Sequence, residues 1–181
     1  MKDELNTVES LRGKSMSEFL DDFKYQKELT KKLDHHDGEF DQSLLNEILL
    51  WKVNRYALAD DKCIALMNQI SRTATELDKD TTKEALLSLL ETKGIRLPVA
   101  STVLRFRNPE IYQILDQRVY RFLYGSPMKI PTNTESQIDY YLQYLDDLRL
   151  KCSEFEVPFN MSDRILYQAD KDMNKSFKIK Y

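Results

Sequence analysis

Cysteine is nearly absent: Cys63 and Cys152 are the only two in 181 residues, and they lie far apart in the chain. Neither the paired spacing of a zinc site nor the clustering of a disulfide scaffold is present, so two buried free thiols in a reducing compartment are expected. An iron-sulfur cluster needs four cysteine ligands, so none is expected, and no other metal or cofactor is implied. Glycine and proline are also scarce, at four and five residues, which leaves few sharp turns and favours helices over a sheet-rich fold. No apolar run approaches the roughly 18 to 20 residues that a membrane helix needs. The stretch from Met1 to Leu11 is charged rather than apolar, so a cytoplasmic protein without a membrane partner is expected. Net charge is small as well, at −3, which argues against a surface coated in basic residues for nucleic acid. The adjacent His35 and His36 point in different directions before Asp37-Gly38 and read as part of a polar loop rather than a metal ligand set.

What is present suits a packed globular chain: 41% hydrophobic and 31% charged residues. The charge is unevenly spread. Between Lys93 and Lys129 seven basic residues (Lys93, Arg96, Arg105, Arg107, Arg118, Arg121, Lys129) face two acidic ones, Glu110 and Asp116. Such a stretch on an otherwise acidic chain suggests one anion-facing patch, the alternative being arginines scattered round several helices.

Apolar residues recur at helical spacing, and no segment alternates as a strand would. Ser15-Met16-Ser17-Glu18, Thr81-Thr82-Lys83-Glu84 and Thr134-Glu135-Ser136-Gln137 read as three capping boxes. The first predicts a helix to about Lys32. A second helix carries Leu44, Leu45, Ile48, Leu49 and Trp51, and a third is capped by Asp60 or Asp61. If the second helix continued to Tyr56, Lys52 would fall on its apolar face, so either the helix ends near Trp51 or the lysine lines an interior cleft. The helix through Leu86 and Leu90 should stop near Thr92-Lys93-Gly94. Pro98 suits the first turn of the next helix, which Asn108-Pro109 ends. Leu86 to Phe106 therefore reads helix, hairpin, helix, and the fold class is all-α. Asp116 can cap a short helix over 117–124, and a last helix begins near Ser162.

The segment Gly94-Ile95-Arg96-Leu97-Pro98-Val99-Ala100-Ser101-Thr102-Val103-Leu104, followed by Ile114-Leu115-Asp116-Gln117-Arg118-Val119, resembles the hairpin, following helix and aspartate-bearing loop of the helix-hairpin-helix DNA glycosylase superfamily. It is most similar to a bacterial branch without the catalytic lysine, in which an early helix ends in a tryptophan-lysine pair with an arginine soon after, here Trp51-Lys52 and Arg55. Asp163-Arg164-Ile165-Leu166 with Lys171 resembles the closing helix of that branch. The likeness spans Leu44 to Lys171 and implies a multi-helix glycosylase-like domain over 43–175, forming one compact unit with an N-terminal helical extension over 1–42.

The resemblance implies a DNA-binding base-excision protein. Hairpin N–H groups at Gly94, Ile95, Arg96 and Leu97 would meet a phosphate, aided by the positive end of the following helix. Gly94 matches the first hairpin glycine of the family, whereas Arg96 stands where the second usually is. Lys52, Arg55 and Arg118 would hold DNA, and Trp51 would border the base pocket, although Trp51 shares an arc with Leu44 and Ile48 that also suits core packing. Asp116 matches the aspartate that stabilises positive charge on the sugar, and it equally suits an N-cap. The attacking lysine of bifunctional members is replaced by Pro98, so the resemblance implies a monofunctional N-glycosylase without lyase activity. The alternative is a non-catalytic helical module that keeps the fold to bind nucleic acid or a protein partner.

Overall fold

The computed structural model describes residues 5–54 and 56–179, and among them every regular element is helical. The elements are α1 (Met16–Asp22), α2 (Lys27–Asp34), α3 (Gln42–Val53), α4 (Asp61–Gln69), α5 (Lys79–Glu91), α6 (Leu97–Arg107), α7 (Gln117–Tyr124), α8 (Thr134–Glu154) and α9 (Ser162–Met173). Short 3-10 turns at Val8–Leu11 and Phe159–Met161 complete them. No helix among the described residues is long and apolar enough to cross a membrane.

Helix α6 is the hub. Every residue of it except Pro98 is buried, and α3, α5 and α8 pack around it. Its sequence sets its limits, with Pro98 in the first turn and Asn108 as an extended C-cap before Pro109. A helix buried on all sides must still satisfy its two arginines. Arg105 pairs with Asp34 at 2.6 Å and with Asp163 at 3.4 Å. Arg107 donates to the Ile70 and Asn68 carbonyls, where α4 ends.

The N-terminal segment is tied to the rest of the chain by polar contacts as well as packing. Asp34 also accepts from Arg164 at 2.6 Å, α1 lies on α9, and Asn6 exchanges hydrogen bonds with Asn174. Burial alone would raise the Asp34 carboxyl, but hydrogen bonding from Arg164 and the charges of Arg105 and Arg164 outweigh it and hold the pKa below its ordinary value. Asp34 therefore adds stability above its unfolded pKa, and that contribution is lost as pH falls through the lowered folded value.

Several local expectations need correction. The first helix is broken into α1 and α2, because Gln26 takes a positive φ of 38° and its side chain donates to the Trp51 carbonyl. Ser15 makes no side-chain cap bond; its hydroxyl contacts Ser17 instead. Asp78 caps α5 three residues before the expected Thr81, and Asn133 caps α8 one residue before Thr134. In both places a short carboxylate or amide acceptor lay upstream of the threonine and reached the free N–H groups first. Asp60 and Asp116 do cap α4 and α7.

Both thiols are buried. Burial raises the Cys63 pKa and pushes Cys152 up to about 12. A thiolate-selective reagent should therefore label neither cysteine in the native protein and both after unfolding in denaturant, a result read from absorbance with time. Rapid labelling of the native chain would contradict this packing.

Candidate functional site

Asp116 sits at the head of α7, and the segment before it is held by three hydrogen bonds to two helices. Tyr141 and Tyr144 of α8 donate to the carbonyls of Gln113 and Ile114, and the Leu115 N–H donates to the Ser101 hydroxyl of α6. All five of residues 111–115 are buried. The aspartate thus leaves a rigid support, and its two oxygens are divided. One accepts from the Arg118 N–H at 2.8 Å as a helix cap, and the other faces Lys52 Nζ at 3.2 Å. The cap is a fact of the fold, and it occupies one oxygen while Lys52 holds the other.

Lys52 arrives from the opposite wall. Helix α3 runs on through Val53 rather than ending at Trp51, so the lysine lies on its inward side, with its side chain 15% exposed. Lys52 and Asp116 meet on the wall of a cavity of about 380 Å³, which Phe23, Tyr25, Trp51 and Tyr167 also line. Arg164 lines it too, its guanidinium 5.6 Å from the Phe23 ring centre and bonded to Asp34.

Trp51 belongs mainly to the core. Its indole N–H donates to Thr30 at 2.7 Å, and Tyr25 and Phe106 meet its ring edge-on at 5.1 and 5.2 Å. A base could not slide between such partners, so Tyr25 and Tyr167 supply the more accessible aromatic surface. Sequence reading missed both, because neither belongs to a motif and each reaches the cavity only through the break at Gln26 or the docking of α9.

The five-residue connection 92–96 between α5 and α6 lies beside this cavity. Gly94 takes a φ of 95°, a backbone state that suits glycine. Ile95 and Leu97 turn their side chains inward, whereas Gly94 and Arg96 are exposed. Val99 and Ala100 both donate to the Arg96 carbonyl, Pro98 has no N–H, and Leu97 is buried, so the first turn of α6 leaves few backbone donors for an anion. Gly94 to Leu97 border a groove of about 820 Å³ that shares Val53, Pro98, Gln117 and Met128 with the smaller cavity. The two hollows are therefore neighbours, with these four residues between them.

No protein-family model, curated protein or solved structure matches this chain. The chemistry of the site therefore rests on its own geometry.

That geometry corrects the basic patch. Of its seven cations, Arg105, Arg107 and Arg121 are buried, each held by carboxylates or carbonyls of distant segments. Arg118 pairs with Asp170 at 3.1 Å and lies over the Tyr167 ring. Lys93, Arg96 and Lys129 remain exposed, so linear charge overstated the patch. Arg55 lies outside the described residues. Among those described, no three His, Cys, Asp or Glu side chains converge as a metal site would require.

Proposed function

We propose that this chain is a nucleic-acid-binding protein of the base-excision glycosylase type, which receives an extruded base in the Lys52–Asp116 pocket. Hydrolysis there would break the C1′–N bond with its electron pair leaving on the base. Water would add at C1′ and give up a proton, and a proton would reach the departing base. Asp116 would stabilise the positive charge that develops on the sugar.

The observation that carries this reading is an aspartate at 3.2 Å from a lysine on the wall of an aromatic-lined cavity, next to the short connection between α5 and α6. Aromatic faces suit base stacking. A volume of about 380 Å³ has room for a nucleobase, and the exposed Arg96 of the adjoining hairpin can meet a phosphate. Pro98 lines the same cavity without an amine, and the amine that the cavity does hold, Lys52, is paired with Asp116, so the monofunctional reading rests on the position of Pro98 alone.

The ion pair itself favours a second reading, a non-catalytic nucleic-acid- or protein-binding module. A carboxylate already matched by an ammonium can serve to fasten α3 to α7 and nothing more.

Fluorescence anisotropy with matched, abasic-site and single-stranded DNA at two salt concentrations tests the binding half. Wild type should prefer the abasic duplex. Lys52→Ala and Arg96→Ala should each weaken binding, and Arg96→Ala should flatten the salt dependence by about 0.9 in log K against log salt. No DNA binding by wild type, or unchanged affinity in both variants, would leave the protein-partner module as the better reading.

A further inference from the structure

A third concavity, of about 450 Å³, lies between α7 and the segment that follows α9. Arg118, Lys171, Lys175 and Lys178 line it, and among the described residues Asp172 is the one carboxylate on its wall. Lys171, Lys175 and Lys178 are exposed. The Lys175–Asp172 pair is long, at 4.0 Å, and largely in water, so it neutralises little. This is a strongly cationic hollow on a chain whose net charge is −3.

Its position relates it to the pocket. Arg118 is two residues from Asp116, and its N–H is the one that Asp116 caps. The Arg118 guanidinium lies 5.6 Å from the ring centre of Tyr167, and Tyr167 also lines the Lys52–Asp116 cavity. The groove beside the 92–96 connection shares Val53 and Pro98 with that cavity. The pocket therefore borders a groove that bears Arg96 and is linked through Tyr167 and Arg118 to a hollow with four basic side chains.

Beneath the hollow, Asp170 is fully buried and accepts from both Arg121 and Arg118. Two guanidiniums share that one carboxylate, which holds Arg118 in place. The helix dipole accounts for a basic residue in the last turn of α9, which covers Lys171. It does not account for Lys175 and Lys178, which lie beyond the helix end at Met173.

We propose that this C-terminal hollow, with Lys171, Lys175 and Lys178 beside Arg118, holds the phosphate backbone of the strand whose base enters the pocket. The proposal rests on the glycosylase-type reading above. A strand with one nucleotide turned out must be held on both sides of that nucleotide, and the hairpin supplies cations on one side only. Flexible lysines act as point charges on phosphate and bring no base preference.

The test is the full-length triple variant Lys171→Gln, Lys175→Gln, Lys178→Gln, with binding to an abasic-site duplex measured across a salt series. Loss of three phosphate contacts should flatten log K against log salt by about 2 to 3, at about 0.9 per contact. Melting temperature should stay at the wild-type value, because the three side chains are exposed. A wild-type slope and affinity in the triple variant, alongside a wild type that binds DNA, would overturn this proposal and leave the pocket reading standing. A wild type that binds no DNA would overturn both. Phosphatidylserine vesicles form a second arm: binding to them that needs the three lysines, with DNA binding unchanged, would assign the hollow to a membrane surface instead.

Discussion

Asp170→Ala should destabilise the protein by about 3 to 5 kcal/mol, the usual cost of removing one partner from a buried ion pair. The Asp170 side chain is fully buried, and its oxygens accept from Arg121 at 2.6 and 2.9 Å, from Arg118 at 3.1 Å and from Asn174 at 2.9 Å. Without the carboxylate, the buried Arg121 guanidinium keeps one partner, the Phe177 carbonyl. Arg118 is 24% exposed and can turn towards water, so Arg121 carries most of the penalty. A loss of this size is a large share of the roughly 5 to 15 kcal/mol that separates a folded domain from its unfolded chain. Urea denaturation measures it as a lower midpoint. Replacing both partners, Asp170→Leu with Arg121→Met, should recover much of the loss, since an apolar pair needs no compensation. A single variant within about 1 kcal/mol of wild type would show that this network does not hold α7 on α9.

That network marks the limit of what the sequence disclosed. Helix type, the ends of α6 and the caps at Asp60 and Asp116 were legible, because each depends on residues within one turn. Lys52 was legible as an oddity, a charge on the apolar face of α3, though its partner was not. The fate of Arg105 and Arg121 was illegible for the same reason, since their carboxylates, Asp34 and Asp170, lie 71 and 49 positions away. A count of charge along the chain carries no burial, so three inward arginines entered the basic patch while the lysines after α9 went unremarked. The break at Gln26 was also hidden, because it depends on an acceptor supplied by α3.

Asp116→Asn should abolish base release while costing only about 1 kcal/mol of stability. Asparagine caps about as well as aspartate, so the bond to the Arg118 N–H survives. What is lost is the pair with Lys52, whose side chains are 15% and 26% exposed, so its worth lies towards the modest end for ion pairs. Asp116→Ala removes the cap as well and should cost about 1 kcal/mol more. The charge matters for the reaction in another way: a neutral amide cannot match positive charge developing on the sugar, even when its shape and hydrogen bonds are retained. Lys52→Met keeps the aliphatic stem against the pocket wall and leaves Asp116 unpaired, which separates the role of the amine from that of the carboxylate.

The decisive measurement is release of free base from a panel of damaged and mismatched duplexes, followed by chromatography for wild type and Asp116→Asn side by side with their melting curves. Release of at least one base by wild type, lost in a variant that still melts within a few degrees of it, is the expected result. No release from any duplex by wild type, or full activity in Asp116→Asn, would contradict the catalytic assignment and leave Asp116 as a helix cap paired with Lys52.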